Sequence, residues 1–159
     1  MSAAEVLAVI GALALAALLG VSDSPNAIAA LVSGRTRSFA AVATWSVGWT
    51  LIGGLLAGTV VARTTVGLVR VAPHLLAPVL AAGCWSAVIF TWWTVRRGFP
   101  TSASVGLVGG LAGAAWAAGG WHGVHWGGLE DYRLVGVLGV LPGILAAPVI
   151  ASMVALISE

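Results

Sequence analysis

Five long apolar stretches, separated by short polar or basic segments, make up most of the chain. None of them alternates between apolar and polar residues as a half-buried strand would, so each predicts a helix. About 20 apolar residues cross a bilayer as a helix, and each stretch has about that length or more. The pattern predicts an all-α membrane protein with one transmembrane domain over residues 1–159. Its expected segments are 3–33, 39–62, 74–95, 100–118 and 134–157.

The first stretch is longer than one crossing requires. As one straight helix, residues 3–33 would measure about 46 Å, whereas the hydrocarbon core is about 30 Å thick. Ser24 followed by Pro25 is typical of an N-cap and a first helical residue. We therefore expect a broken first helix, unwound at residues 20–24 and resumed near residue 25. The alternative is a proline-kinked helix in which Asp23 only caps the next turn.

Asp23 is the only acidic residue between Glu5 and Glu130. A carboxylate at membrane depth costs roughly 2.5–3.5 kcal/mol, so such a residue is a candidate functional group. At a helix break, free carbonyl groups attract a cation and free N–H groups attract an anion. Many secondary transporters bind substrate and coupling ion between broken helices of this kind.

A second polar segment, GFPTSAS at residues 98–104, leads into a glycine-rich helix. Thr101, Ser102 and Ser104 lie at the predicted helix start, where hydroxyls and unpaired N–H groups form an uncharged anion cradle. A simple N-cap at the membrane surface would use the same residues. The glycines that follow predict one face for close helix packing. These are Gly106, Gly109, Gly110 and Gly113.

The composition supports an integral, multi-pass protein of the cell membrane. The chain is 60% hydrophobic and 8% charged, with a mean hydropathy of +1.06. The net charge of +2 comes from scattered arginines without lysine, which argues against a nucleic-acid partner. The membrane region contains no Cys, His and Asp set for nucleophilic chemistry, so we expect neither an enzyme nor a cofactor.

The segment 119–133 contains His122, His125 and Glu130, which could suggest a metal site. Their loose spacing in a glycine-rich loop instead predicts a solvated connector, and we assign no metal there. The loops at 34–38 and 96–99 contain four arginines, against three in the other two loops. Because arginine-rich loops stay cytoplasmic, this favours an external N-terminus. Trp92 and Trp93 are typical of an interfacial belt.

Together the two polar segments resemble the inorganic phosphate transporter (PiT) family of cation-coupled phosphate symporters. That family has a G-x-N-D-x-x-N-A signature in a broken first helix and a later P-x-S-S/T-S/T-H-x-x-x-G-G motif. Here GVSDSPNAIAALVS at residues 20–33 and GFPTSASVGLVGG at residues 98–110 occur in the same order and at similar spacing.

The resemblance implies roles for individual residues. Asp23 and Asn26 match positions at the cation and phosphate sites, and Ser102 and Ser104 match hydroxyls that hold phosphate. With their neighbours, the candidate cation set is Asp23, Asn26 and Ser22, with Na⁺ at Asp23 as the one metal expected. The candidate oxyanion set is Ser102, Ser104, Thr101, Asn26 and Ser24.

Three positions depart from the family pattern, and each departure removes a polar group. Ser22 replaces Asn, Ala103 replaces Ser or Thr, and Val105 replaces His. Sulfate or another oxyanion therefore stays an alternative substrate.

The family consists of two inverted repeats, each with its own signature, whereas this chain contains one. The expected function is symport of phosphate with Na⁺ or H⁺, by a complex with a second half. That half would be a homologous chain or an antiparallel copy of this one. The alternatives are a passive channel or permease and a non-transporting membrane subunit of a carrier.

Overall fold

The computed structural model describes residues 1–33, 38–99, 102–130 and 133–158 and is almost wholly helical. The five α-helices are α1 (Ala3–Ser33), α2 (Phe39–Val66), α3 (Pro73–Arg96), α4 (Ala103–Gly119) and α5 (Gly136–Ser158). Between α4 and α5 lie a 3₁₀-helix (Gly120–Gly123) and two antiparallel strands, β1 (Gly128–Glu130) and β2 (Arg133–Val135).

In the described part of the chain, five helices are long and apolar enough to cross a membrane, α1 over Ala3–Ser22. This confirms the prediction of an all-α, multi-pass integral membrane protein. The helix bounds differ from the predicted ones by a few residues. Thus α2 continues past residue 62 to Val66, and α5 begins at Gly136 because β2 occupies residues 133–135.

The predicted break in the first helix is not observed, because the backbone of α1 is continuous from Ala3 to Ser33. Pro25 deprives α1 of a single N–H donor. Unwinding residues 20–24 would instead leave several backbone groups unpaired, at a cost of several kcal/mol each away from water. The lost hydrogen bond and the crowding of the preceding carbonyl together cost about 3 kcal/mol, which is the smaller penalty, so the helix passes through the proline.

Helix α3 lies at the centre of the packed part, with α1 and α4 against it. Its contact with α4 is close because two glycines meet there. A Cβ atom on Gly110 would lie 2.7 Å from the carbonyl oxygen of Gly83, and one on Gly83 would overlap the Leu111 side chain. Leu111 is completely buried. Glycine at both positions therefore allows the two backbones to approach.

The contact between α1 and α3 also depends on a glycine. A Cβ atom on Gly11 would lie 3.1 Å from both Cys84 Cβ and Trp85 Nε1. The indole N–H of Trp85 donates to the carbonyl oxygen of Leu7 at 3.2 Å. This hydrogen bond fixes α1 against α3 at a defined level.

The segment after α4 is more ordered than a solvated connector. Val69 and Val124 form an antiparallel β-bridge, and backbone hydrogen bonds of their neighbours extend it. Arg70 N donates to Gly123 O at 2.8 Å, and His125 N donates to Leu68 O at 2.9 Å. Val69 and Val124 are buried in the core with Val79, Leu111 and Ala115. The prediction of a solvated connector is therefore wrong for residues 123 and 124, which are buried, whereas residues 119–122 are exposed. The partner segment is distant in sequence, so no local pattern indicated the bridge.

His125 strengthens this link between the two loops. Its Nδ1 lies 2.9 Å from Gly67 O, and its Nε2 lies 2.9 Å from an Arg70 guanidinium nitrogen. Because a carbonyl only accepts, Nδ1 carries the proton and Nε2 can accept from Arg70. His125 therefore has a structural role between the loops.

Helices α2 and α5 lie largely outside the packed part. The only close helix neighbour of α2 is α1, and α5 packs chiefly on β1 and β2, as far as the described residues extend. On α2, Leu55 is 84% exposed, and on α5 Leu156 is 75% exposed. These faces are suited to lipid or to another protein segment.

Candidate functional site

The predicted oxyanion segment lies where α4 begins. Ser102 is the N-cap residue, in an extended conformation with φ −96° and ψ 113°, and its side chain makes no capping hydrogen bond. The first backbone bond of the helix runs from Gly106 N to Ser102 O at 3.1 Å. The Ser102 hydroxyl thus does not occupy the N–H groups of the first turn, as a simple N-cap would.

Residues around the first turn of α4 divide between an exposed and a buried side. Ser102, Ser104 and Val105 are exposed, whereas Ala103 is buried. The hydroxyl that Ala103 lacks would be internal, while the imidazole that Val105 lacks would be on the exposed side. Thr101 lies outside the described residues. The structure therefore places Ser102 and Ser104 on one accessible turn.

One polar residue next to this turn was not singled out from the sequence. Thr91 on α3 is 2% exposed, and its hydroxyl has no hydrogen-bond partner within the described ranges. It lies 3.9 Å from where a Cβ atom on Gly106 would be. The hydroxyl of Thr94, one turn later, shares its one proton between the Phe90 and Thr91 carbonyl oxygens, at 3.0 and 2.9 Å. The sequence feature that could have indicated Thr91 is the presence of two threonines three residues apart in an apolar span.

The predicted cation segment lies on α1. The backbone of Asp23, Ser24 and Asn26 is helical, and their side chains lie outside the described residues. Ser22 is half-buried, and its hydroxyl donates to the Leu19 carbonyl oxygen at 3.5 Å. This bond directs the Ser22 hydroxyl along the helix, as serine commonly does in apolar helices.

The two segments lie toward the same end of the packed helices. Alternate crossings make α1 and α3 run in the same direction, and they meet at Gly11 and Cys84. Residue 23 is twelve positions beyond Gly11 (23 − 11), and residue 96 is twelve positions beyond Cys84 (96 − 84). Each distance is about 18 Å along its helix. The first turn of α4 packs against α3 at Phe90, six positions beyond Cys84 (90 − 84) or about 9 Å, so it lies on the same side of that contact as Asp23 but less far along the helices.

A largely apolar cavity of about 670 Å³ lies beside this part of α1, between it and the first half of α2. Gly20, Val21 and Ile28 line it from α1, and Phe39 and Leu51 line it from α2. Ser46 and Thr50 are also in its wall, but the Thr50 hydroxyl donates to the Ser46 carbonyl oxygen at 2.8 Å. Its described lining carries no charge, so it is not suited to hold an oxyanion by itself.

Known proteins that are similar to this chain share one description. Three bacterial relatives are each described as a "probable low-affinity inorganic phosphate transporter". The one from Streptomyces halstedii is 38% identical over 126 residues, 75% of this chain and 55% of the relative. Those from Rhizobium meliloti and Mycobacterium leprae are 33% and 30% identical, over 80% and 89% of this chain. No solved structure matches the chain significantly.

The relatives are longer than this chain. It spans about half of the Streptomyces protein and only 37% and 33% of the other two. The sequence model of the phosphate transporter family matches residues 19–158, which include both polar segments. This match, over nearly the whole chain, shows that the protein belongs to the phosphate transporter family, a family of transporters rather than enzymes.

Proposed function

We propose that the chain is one half of a cation-coupled transporter of inorganic phosphate. The observation that carries the proposal is the start of α4, where Ser102 occupies the N-cap position but its side chain makes no capping hydrogen bond. In a member of the phosphate transporter family, this turn is the part of the molecule best suited to bind an oxyanion.

The oxyanion would be bound without a fixed positive charge. Hydroxyls of Ser102, Ser104 and Thr101 and the first N–H groups of α4 donate to its oxygens, and the helix dipole adds favourable partial charge. Asn26 and Ser24 would contribute from α1. Uncharged donors bind an anion weakly enough to release it, which suits a transporter of low affinity.

Asp23 would supply the negative charge for the coupling ion. A Na⁺ ion or a proton at this carboxylate offsets the charge of the arriving phosphate, so the two bind better together than separately. Asn26 and Ser22 provide neutral oxygens for the same cation. No further cofactor is required for this chemistry.

A second half is part of the proposal. A binding site between repeats needs polar segments from both sides, since otherwise its backbone and hydroxyl groups face lipid. The chain spans about half or one third of its relatives, which leaves room in those proteins for such a half. It would be a homologous chain or an antiparallel copy of this one, and it would cover exposed faces of α2 and α4.

The first test replaces Asp23→Asn in the assembled transporter and measures uptake of radiolabelled phosphate into vesicles under an inward Na⁺ or H⁺ gradient. Asparagine caps a helix about as well as aspartate, so a capping role would survive. We expect cation-dependent uptake to be abolished while the protein still accumulates in the membrane.

The matched control is Glu5→Gln on the same helix. The Glu5 carboxylate is at the exposed start of α1, where it accepts from Ser2 N at 2.9 Å. This variant should retain coupled uptake. Full coupled transport by the Asp23→Asn protein would overturn the assignment of the cation site.

Sulfate is the second candidate substrate, favoured by Ala103 and Val105 at positions where the family has polar residues. Phosphate at neutral pH carries a proton that needs an acceptor, whereas sulfate only accepts hydrogen bonds. A cradle of N–H donors and of hydroxyls, which donate or accept, admits both anions. Competition settles the choice: excess sulfate should leave phosphate uptake unchanged if an acceptor such as Asp23 contacts the substrate.

A further inference from the structure

One face of α3, at the edge of its contact with α4, carries a largely apolar stripe that ends in two arginines. Its residues recur at intervals of three and four, so they lie along one side of the helix. They are Ser86, Ile89, Phe90 and Trp93, followed by Arg96 and Arg97. An open groove of about 580 Å³ runs along this face, with Trp92 at its edge.

Both arginines stack on tryptophans of the same helix. The Arg96 guanidinium lies 4.4 Å from the centre of the Trp92 ring, and that of Arg97 lies 5.4 Å from the Trp93 ring. A guanidinium stacked by its face retains its in-plane N–H donors for another partner. No acidic residue occurs on α3 itself.

The end of α3 holds these side chains in place. Gly98 has φ +70°, and the following residue, Phe99, donates its N–H to the Thr94 carbonyl oxygen at 3.0 Å. This is a typical glycine C-cap. The Phe99 ring then lies 6.5 Å from that of Trp93. The cap therefore supports the aromatic surface under Arg97.

The dimensions of the stripe match one leaflet of a bilayer. From Ser86 to Arg97 the helix rises about 16 Å, roughly half of the 30 Å hydrocarbon thickness. When the arginines are at headgroup depth, Ile89 and Phe90 are at acyl-chain depth. The stripe thus presents apolar and cationic groups at the two heights where a phospholipid has its chain and its phosphate.

The charge distribution selects the kind of lipid. Crossing order puts the connections after α1 and after α3 on the same side of the membrane, and the sequence from the last residue of each of these helices to the next helix contains four of the seven arginines. The side with more arginines is cytoplasmic by the positive-inside rule, and the cytoplasmic leaflet carries anionic lipids. We infer that this α3 surface binds one anionic phospholipid, its phosphate held by Arg96 and Arg97 and its acyl chain lying along Ile89, Phe90 and Trp93. The inference does not depend on which anion is transported.

The test reconstitutes the full protein in nanodiscs of phosphatidylcholine with increasing phosphatidylglycerol and counts retained lipids by native mass spectrometry. One phosphatidylglycerol should be retained per chain. Arg96→Gln with Arg97→Gln should weaken its retention about 30-fold, since each cation near a membrane surface contributes about 1 kcal/mol. The Arg96→Lys, Arg97→Lys pair retains the charge but loses the bidentate geometry. Its lipid retention should lie between that of the unmodified chain and that of the Gln pair.

Arg63→Gln is the matched control, because Arg63 is an exposed arginine in the last turn of another spanning helix, α2. It should retain the lipid like the unmodified chain. The Lys pair also guards against misfolding, because it retains both charges. Equal retention of phosphatidylcholine, or unchanged retention by the Gln pair, would overturn the inference. Displacement of the lipid by millimolar inorganic phosphate would also overturn it, because the arginines would then bind the free anion. Displacement of the lipid by the second half would overturn it as well.

Discussion

Helices α2 and α4 contain similar residues in opposite surroundings. Both begin at a serine N-cap and both are rich in glycine. On α2 the serine caps the helix, since Ser38 Oγ accepts from Ala41 N at 3.4 Å, while no atom of the described residues lies within 4 Å of a Cβ position on Gly54 or Gly58. On α4 the Ser102 hydroxyl makes no capping bond, while Gly110 closely contacts α3. Residue type alone does not decide whether a serine or a glycine is engaged.

The same contrast exists within α4. The sequence analysis placed its four glycines on one packing face, and the structure separates them into two pairs. Gly106 and Gly110 face α3, whereas Gly109 and Gly113 have open space around their Cβ positions among the described residues. One side of α4 thus belongs to this chain's own core, and the other side is available to a partner.

The largest effect is expected at Ser102, the N-cap serine that makes no capping hydrogen bond. Ser102→Ala removes one donor from the proposed cradle, and losing a hydrogen bond to a charged ligand costs about 1.5–3 kcal/mol, or roughly 10- to 150-fold in affinity. Phosphate binding by the assembled protein, measured by isothermal titration, should weaken by that factor with little change in thermal stability.

Ser38→Ala is its counterpart on α2 and should behave in the opposite way. It removes a cap that contributes about 1 kcal/mol to stability and leaves phosphate affinity unchanged. If Ser102→Ala and Ser38→Ala changed phosphate affinity and stability in the same way, the distinction between an N-cap serine with and without a capping hydrogen bond would be wrong.

The second prediction concerns the glycines. Gly110→Ala places a methyl group against the Gly83 carbonyl, and overpacking of this kind typically costs 1–3 kcal/mol. Unfolding of the purified chain in a denaturing detergent should show this loss. Gly109→Ala, one residue earlier on the open side, should raise the free energy of unfolding by about 0.5–1 kcal/mol, because alanine favours a helix more than glycine does. A comparable loss for both would mean that α4 is packed on both sides.

The third prediction is a smaller effect at the α1 and α3 contact. Trp85→Phe deletes the hydrogen bond to the Leu7 carbonyl but retains most of the ring packing, and should cost about 1 kcal/mol. Trp49→Phe on the exposed face of α2 is the control and should have no measurable effect on unfolding. A neutral Trp85→Phe would indicate that packing alone joins α1 to α3.

The sequence was sufficient for the number and type of helices, because membrane spans follow from apolar length. Phe39 was the predicted and is the observed start of α2. The continuity of α1 was not predictable in this way, since a Ser-Pro pair marks both helix starts and proline kinks. Periodicity also placed Gly106 and Gly110 on a packing face but could not identify α3 as their neighbour. The bridge between Val69 and Val124 joins segments far apart in sequence, so no local pattern predicts it.

The most direct test of the account is whether the chain transports phosphate alone. The purified 159-residue chain, and the same chain assembled with a second signature-bearing half, would be placed in vesicles with an inward Na⁺ or H⁺ gradient. Detergent-phase mass measurement would establish the oligomeric state of each sample. We predict no gradient-driven uptake by the monomer and uptake by the assembly, including an antiparallel dimer if one forms. Active, gradient-driven phosphate uptake by a strict monomer would contradict the central claim.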